Sequence, residues 1–184
     1  MTSETRRHIV NFVWFQAIWL LAILFQYEYL WLVGLLLFAF FIFSDDPRCD
    51  GILLLGVIIV GLVIDGALTL SGVFTFTTPN YGLVIPWWLL ALWAGFAGTL
   101  RHSLGYFRNH FWVSVAGGAI FGPVSYAAGA RLGAVEFEMG MTTTMLILSP
   151  IWAIIFPFAV WLSKRAESVW SETSNTSSAK QGDS

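Results

Sequence analysis

The densest group of reactive side chains is Arg101-His102-Ser103-Leu104-Gly105-Tyr106-Phe107-Arg108-Asn109-His110. A histidine flanked by arginines suits acid–base work, with His102 moving a proton while Arg101 holds a phosphate or carboxylate. The plainer reading is a basic anchor that meets anionic lipid headgroups. Asp65 is the second candidate, because it stands inside a long apolar run where a lone charge is costly. Arg131 closes another apolar run, with Glu136 and Glu138 just beyond it. These groups could form a structural ion pair, or a proton or cation site. Metal chemistry finds no support: His8, His102 and His110 are scattered and Cys49 is the one cysteine. The acids Asp45, Asp46 and Asp50 around Pro47 lack the spacing of a calcium loop, and the expectation there is a turn with solvated charges. No cofactor is expected.

The elements that must hold these groups follow from composition. The 184 residues are 57% apolar, 17% aromatic and 11% charged, with a mean hydropathy of +0.73. Soluble domains carry about 25% charged residues, so this chain cannot cover a soluble core. A soluble enzyme and a disordered protein are both excluded on that ground. A net charge of −2 argues separately against a nucleic-acid partner, since phosphate neutralisation needs a basic patch. The solvent is lipid.

Six stretches approach the ~20 apolar residues that cross ~30 Å of hydrocarbon. They run from about Ile9 to Phe25, Tyr27 to Phe43, Ile52 to Leu70, Gly82 to Leu100, Phe111 to Ala130 and Met141 to Leu162. No period-two alternation is present, which excludes an outer-membrane barrel. With the N-terminus inside, Arg6, Arg7, Arg48, Arg101, Arg108, Lys164, Arg165 and Lys180 all fall on the cytoplasmic side. Arg131 alone falls outside. Cytoplasmic loops collect Lys and Arg, so the expectation is an all-α polytopic bundle of six transmembrane helices with both termini cytoplasmic. Residues 1–165 form the membrane domain, and 166–184 read as a disordered polar tail.

Within the spans, Asn11 and Gln16 are expected to bond neighbouring helices. Gly118 with Gly122, and Gly129 with Gly133, have the spacing that lets helices approach closely. Pro123 is expected to kink the fifth helix. Tyr27, Tyr29, Tyr81, Trp87 and Trp88 are expected to anchor the outer interface.

Two strings carry a resemblance: Ala97-Gly98-Thr99-Leu100-Arg101-His102-Ser103-Leu104-Gly105-Tyr106, and Phe121-Gly122-Pro123-Val124-Ser125-Tyr126-Ala127-Ala128-Gly129-Ala130-Arg131-Leu132-Gly133-Ala134. Together they resemble an uncharacterised family of small bacterial inner-membrane proteins (domain of unknown function, family twenty-eight seventy-eight). The resemblance covers nearly all of the chain except the tail. It implies a place in the bacterial inner membrane and, by association with lipid-modifying membrane enzymes, a link to acyl-chain modification. By residue match it marks His102, Ser103, Tyr126 and Arg131. The leading expectation is therefore an accessory to membrane-lipid modification, with membrane lipids as partners. A small transporter using Asp65 and the broken fifth helix is one alternative. A membrane enzyme acting on lipids through His102 is the other.

Overall fold

The computed structural model describes the backbone over residues 2–182 and the side chains through Ser168. Six helices account for nearly all of it: α1 (Ser3–Phe25), α2 (Leu30–Phe43), α3 (Pro47–Leu70), α4 (Trp87–Leu100), α5 (Phe111–Arg131) and α6 (Met141–Gly182). A 3-10 turn, Gly105–Asn109, links α4 to α5. Four helices (α1, α3, α5 and α6) are long and apolar enough to cross a membrane. Phe38, Phe43, Phe121 and Trp112 lie on an outer surface that is extensively apolar, as a helical membrane protein requires. The helical trace of α6 runs through the segment whose composition predicts a disordered tail, and the side chains after Ser168 are outside the described residues.

Two helices are shorter than composition predicts. α2 starts at Leu30 because Tyr27–Tyr29 is spent on the turn, and Gln26 takes a positive φ of 49°. α4 starts at Trp87 because Tyr81 and Gly82 adopt positive φ and Pro86 stands at its N-cap. At ~1.5 Å per residue, 14 residues span only about 21 Å. α4 tolerates this because it is the central helix, packed against α1, α2, α3 and α6. Ten of its residues are buried, including Trp88, Trp93 and Leu100. Protein therefore surrounds most of it.

Local chemistry sets the ends. Asp46 caps α3 by accepting a hydrogen bond from the Cys49 N–H at 3.2 Å, with Pro47 at the first helical position. The acid run is thus a cap and two ion pairs, where solvated charges were expected: Asp45 pairs with Arg7 and Asp50 is buried. α3 and α5 end alike. Gly72 and Gly133 have φ of +70° and +79°, while Val73 N–H reaches Leu68 O and Ala134 N–H reaches Gly129 O, each at 3.0 Å. This is the glycine-terminated Schellman arrangement. It removes Gly133 from any packing stripe and corrects the expectation for that glycine.

At the end of the bundle where α3 finishes, residues 71–86 fold across the helices. Thr75–Phe76 (β1) pairs antiparallel with Val135–Glu136 (β2), a ribbon that composition did not predict. Trp88 donates from Nε1 to Thr78 Oγ1 at 2.9 Å and is 1% exposed. It is a core residue, and the interfacial role expected for it is corrected. Tyr81 and Trp87 remain exposed.

The glycines of α5 decide its closest contact. A Cβ at Gly118 would stand 2.2 Å from the Trp152 carbonyl oxygen, and one at Gly122 2.2 Å from the Trp152 ring. Only glycine admits α6 at this distance. Pro123 lacks an N–H, so the Ala119 carbonyl four residues earlier loses its helical donor. Ser149 Oγ of α6 donates to that carbonyl at 2.9 Å. In lipid nothing else could satisfy it. Ser149→Ala is expected to destabilise the protein by about 1 kcal/mol, measured by unfolding in mixed micelles, whereas Ser149→Thr retains the donor and stability close to the parent.

Candidate functional site

The polar cluster marked by the sequence lies at the end of the bundle where α1 begins. It is an ionic lock joining three helices. Arg101, the residue that ends α4, donates from Nη1 to Asp50 Oδ1 of α3 at 2.6 Å and from Nε to Glu167 Oε1 of α6 at 2.8 Å. Arg108, in the 3-10 turn, forms a two-pronged pair with the same Glu167. Ser44 donates to Asp50 Oδ2 at 2.5 Å. His102 Nε2 stands 3.8 Å from that oxygen. Burial works against the charge on Arg101, but Glu167 and Asp50 outweigh it and raise the guanidinium above its ordinary pKa. Two guanidinium groups face two carboxylates, so the lock is balanced in charge and its donors are committed. Arg101 and His102 are neighbours in the chain, and the structure points Arg101 at protein carboxylates.

Ser103 belongs to a different set. Asn11 of α1 donates to Gly98 O at 3.0 Å and accepts from both Ser103 N–H, at 3.2 Å, and Ser103 Oγ, at 2.7 Å. An amide oxygen is no general base, so this serine has no partner that could take its proton during attack. The Asn11 bonds fulfil the expectation that its amide joins neighbouring helices.

Asp65 and Tyr126 meet in the interior. Tyr126 Oη donates to Asp65 Oδ1 at 2.6 Å, and Trp93 Nε1 donates to Asp65 Oδ2 at 2.7 Å. Asp65 is 1% exposed. Trp93 stacks on Trp152 with ring centres 5.3 Å apart and planes 7° from parallel. Gly61 permits this, because a Cβ there would lie 2.3 Å from the Trp93 ring. One carboxyl therefore ties α3 to α4 and α5. Arg131, exposed at the end of α5, makes no ion pair among the described residues. Glu136 lies in the ribbon and Glu138 just after it, both exposed, with Glu138 Oε1 accepting from Thr75 Oγ1 at 2.9 Å. The expected grouping of Asp65 with Arg131 and the two glutamates does not form among the described residues, because Asp65 faces neutral donors.

Beside Tyr126 a cavity of about 550 Å³ extends along the bundle, lined by α1, α4, α5 and α6. Phe15, Trp19, Phe96, Phe107, Trp152 and Phe156 typify its walls, and Phe12 and Phe121 on its rim are exposed. It opens as a groove toward the apolar flank of the protein. The α1 wall from Phe12 to Ile23 measures about 16 Å at ~1.5 Å per residue. Among the described residues no Lys, Arg, His, Asp or Glu lines it. One hydrogen bond crosses from α1 to α5, Trp19 Nε1 to Ser125 Oγ at 2.9 Å.

Sequence reading missed three parts of this arrangement. Asp50 was assigned to a solvated turn, Glu167 to a tail, and the groove has no local signal because its lining is gathered from four helices. The signal for Asp50 was its place four residues after the Asp46 cap, which turns it into the start of α3. Removing one side of a buried pair strands the other. Arg101→Ala is expected to lower stability by about 3 kcal/mol by leaving Asp50 uncompensated, and the double variant Arg101→Ala with Asp50→Ala is expected to be more stable than that single variant in the same micellar unfolding measurement.

Comparison with known proteins bears on the same residues. No curated protein and no solved structure matches the chain. A family described as Protein of unknown function (DUF2878) matches residues 8–158, which takes in both Arg101-His102-Ser103 and the α5 string from Phe121 to Ala134. The chain is a member of the DUF2878 family.

Proposed function

We propose that this protein is a six-span component of the bacterial inner membrane that holds a lipid acyl chain, serving as an accessory to enzymes that modify acyl chains. The groove is the observation that carries this reading. Its α1 wall of about 16 Å matches one leaflet of a ~30 Å hydrocarbon core, which is the depth one acyl chain occupies. A cavity of 300–1,000 Å³ is the usual size for a small ligand, and about 550 Å³ falls within it. An empty apolar space would forfeit the dispersion contacts of a filled one. In a bilayer the chain that fills it is the solvent itself, and the exposed rim at Phe12 and Phe121 offers lateral access.

The two alternatives draw less support. An enzyme on lipids needs a nucleophile and a base at the ligand, but Ser103 is bonded to Asn11 and neither it nor His102 lines the groove. A transporter needs Asp65 in contact with a path for ions, and both its oxygens already accept hydrogen bonds from Tyr126 and Trp93. The distribution of basic residues supports cytoplasmic termini, with Arg131 alone outside. That arrangement requires the short α2 and α4 to cross as well, which local thinning of the bilayer can accommodate.

Ala128 lines the groove from α5, and Ala128→Phe would fill it without touching the ionic lock. The parent protein is expected to carry phospholipid through purification in a lipid-free detergent, with the variant losing it while unfolding as the parent does. A deletion strain is expected to change in acyl-chain composition, and the Ala128→Phe gene is expected not to restore it. An unchanged lipidome in the deletion strain would refute the accessory role. Topology has a separate check: a periplasm-dependent reporter fused after Arg165 should stay silent, and activity there would refute cytoplasmic termini.

A further inference from the structure

We propose that the groove selects a chain carrying a neutral oxygen near its middle, a hydroxyl or a carbonyl, over a plain hydrocarbon chain. This deepens the acyl-chain reading and rests on it. The groove is apolar along nearly all its length, but besides its aromatic residues two polar side chains line it: Gln16 of α1 and Ser125 of α5. Among the described residues the Gln16 amide has no hydrogen-bond partner. Ser125 Oγ accepts from Trp19 Nε1, and its own proton has no acceptor among the described residues. Asn11, five residues before Gln16, shows what a satisfied amide does on this helix: both ends of its side chain are bonded across to Gly98 and Ser103. Gln16 is left over.

Position gives these groups their meaning. Gln16 is about 6 Å along α1 from Phe12, and Trp19 is about 6 Å short of Ile23. The donors therefore stand near mid-groove, with Phe12, Leu104 and Phe107 toward one end and Ile23, Phe76 and Val135 toward the other. An unpaired amide in an apolar setting is unfavourable, and a ligand oxygen at this height would relieve it. A carbonyl could accept from Gln16 Nε2 or from Ser125 Oγ. A hydroxyl could accept from either and donate to Gln16 Oε1. A carboxylate or phosphate is disfavoured here, since no cationic side chain lines the groove to balance it. The headgroup must lie beyond the groove and the oxygen must lie on the chain.

The full-length protein in nanodiscs, crosslinked by a phosphatidylcholine with a diazirine on its acyl chain, provides the test. Three competing phosphatidylcholines are compared: one with an octadecanoyl chain, one with the same chain hydroxylated at carbon ten, and one hydroxylated at carbon two. The mid-chain hydroxyl is expected to compete about tenfold better than the plain chain, the yield of one well-made hydrogen bond. The hydroxyl beside the headgroup is expected to compete no better than the plain chain. Gln16→Leu is expected to reduce the preference for the mid-chain hydroxyl over the plain chain. Equal competition by all three lipids against the parent protein would overturn the proposal and leave the acyl-chain reading standing. Failure of every lipid to compete would overturn both. The comparison among lipids needs no variant, so a Gln16→Leu protein that fails to fold leaves the test decisive.

Discussion

Trp152 seated against the bare backbone of Gly118 and Gly122 is the contact on which the rest of the interior depends. It fixes the distance between α5 and α6, and it places the indole where Trp93 can stack on it. Trp93 in turn reaches Asp65, and Tyr126 reaches the same carboxyl from α5. A chain of contacts thus runs from two glycines to one aspartate, passing through four helices. Each link is short-range and needs the previous one. A larger residue at either glycine would displace the ring that forms one wall of the groove, so packing and ligand space are governed by the same pair of positions.

The two ends of the bundle solve different problems. Where α1 begins, Asp50, Arg101, Arg108 and Glu167 pair off and hold α3, α4 and α6 together. Where α3 ends, neutral hydrogen bonds and a two-residue ribbon close the bundle instead. Carboxylates and guanidinium groups are costly to bury unless matched, and the lock matches them in equal number. The middle of the bundle, by contrast, joins its helices through tryptophan, tyrosine, serine and asparagine side chains, which need only one partner each. Charge is concentrated where the start of α3 and the end of α4 meet α6, and the middle of the bundle holds Asp65 among neutral donors.

Much of the helical plan was legible in the sequence because hydropathy is a local property. The six helices fall where apolar runs predict them, and Gly118 with Gly122 has the spacing that its contact with α6 requires. The ends of α2 and α4 were less legible, since Gln26, Tyr81 and Gly82 spend apolar-flanked residues on turns of positive φ. Partners were illegible where they depend on tertiary approach. Asp65 sits in a run that reads as an isolated acid, and nothing local announces that Trp93 and Tyr126 are aimed at it. Trp88 is aromatic and near a predicted interface, yet the fold of residues 71–86 over it makes it core. The ribbon was invisible for a related reason: two residues carry no period, and their pairing joins positions 60 residues apart along the chain.

The polar side chains divide according to whether the fold has used them. His102 faces Asp50, Ser103 faces Asn11, Tyr126 faces Asp65, and Arg101 faces two carboxylates. Ser103, Tyr126, Asp65 and Arg101 are thereby engaged in holding helices together, whereas Arg131 and Glu136 are exposed and the buried His102 Nε2 makes no hydrogen bond among the described residues. A serine or tyrosine hydroxyl tied into a structural network has lost the freedom that turnover requires, in keeping with the recognition role proposed above. Recognition in an apolar groove is set by the few polar groups that remain unmatched. Gln16 and the hydroxyl proton of Ser125 are such groups, and both line the space the fold leaves open. Specificity in the proposed role would follow from that residue of unused hydrogen-bonding capacity.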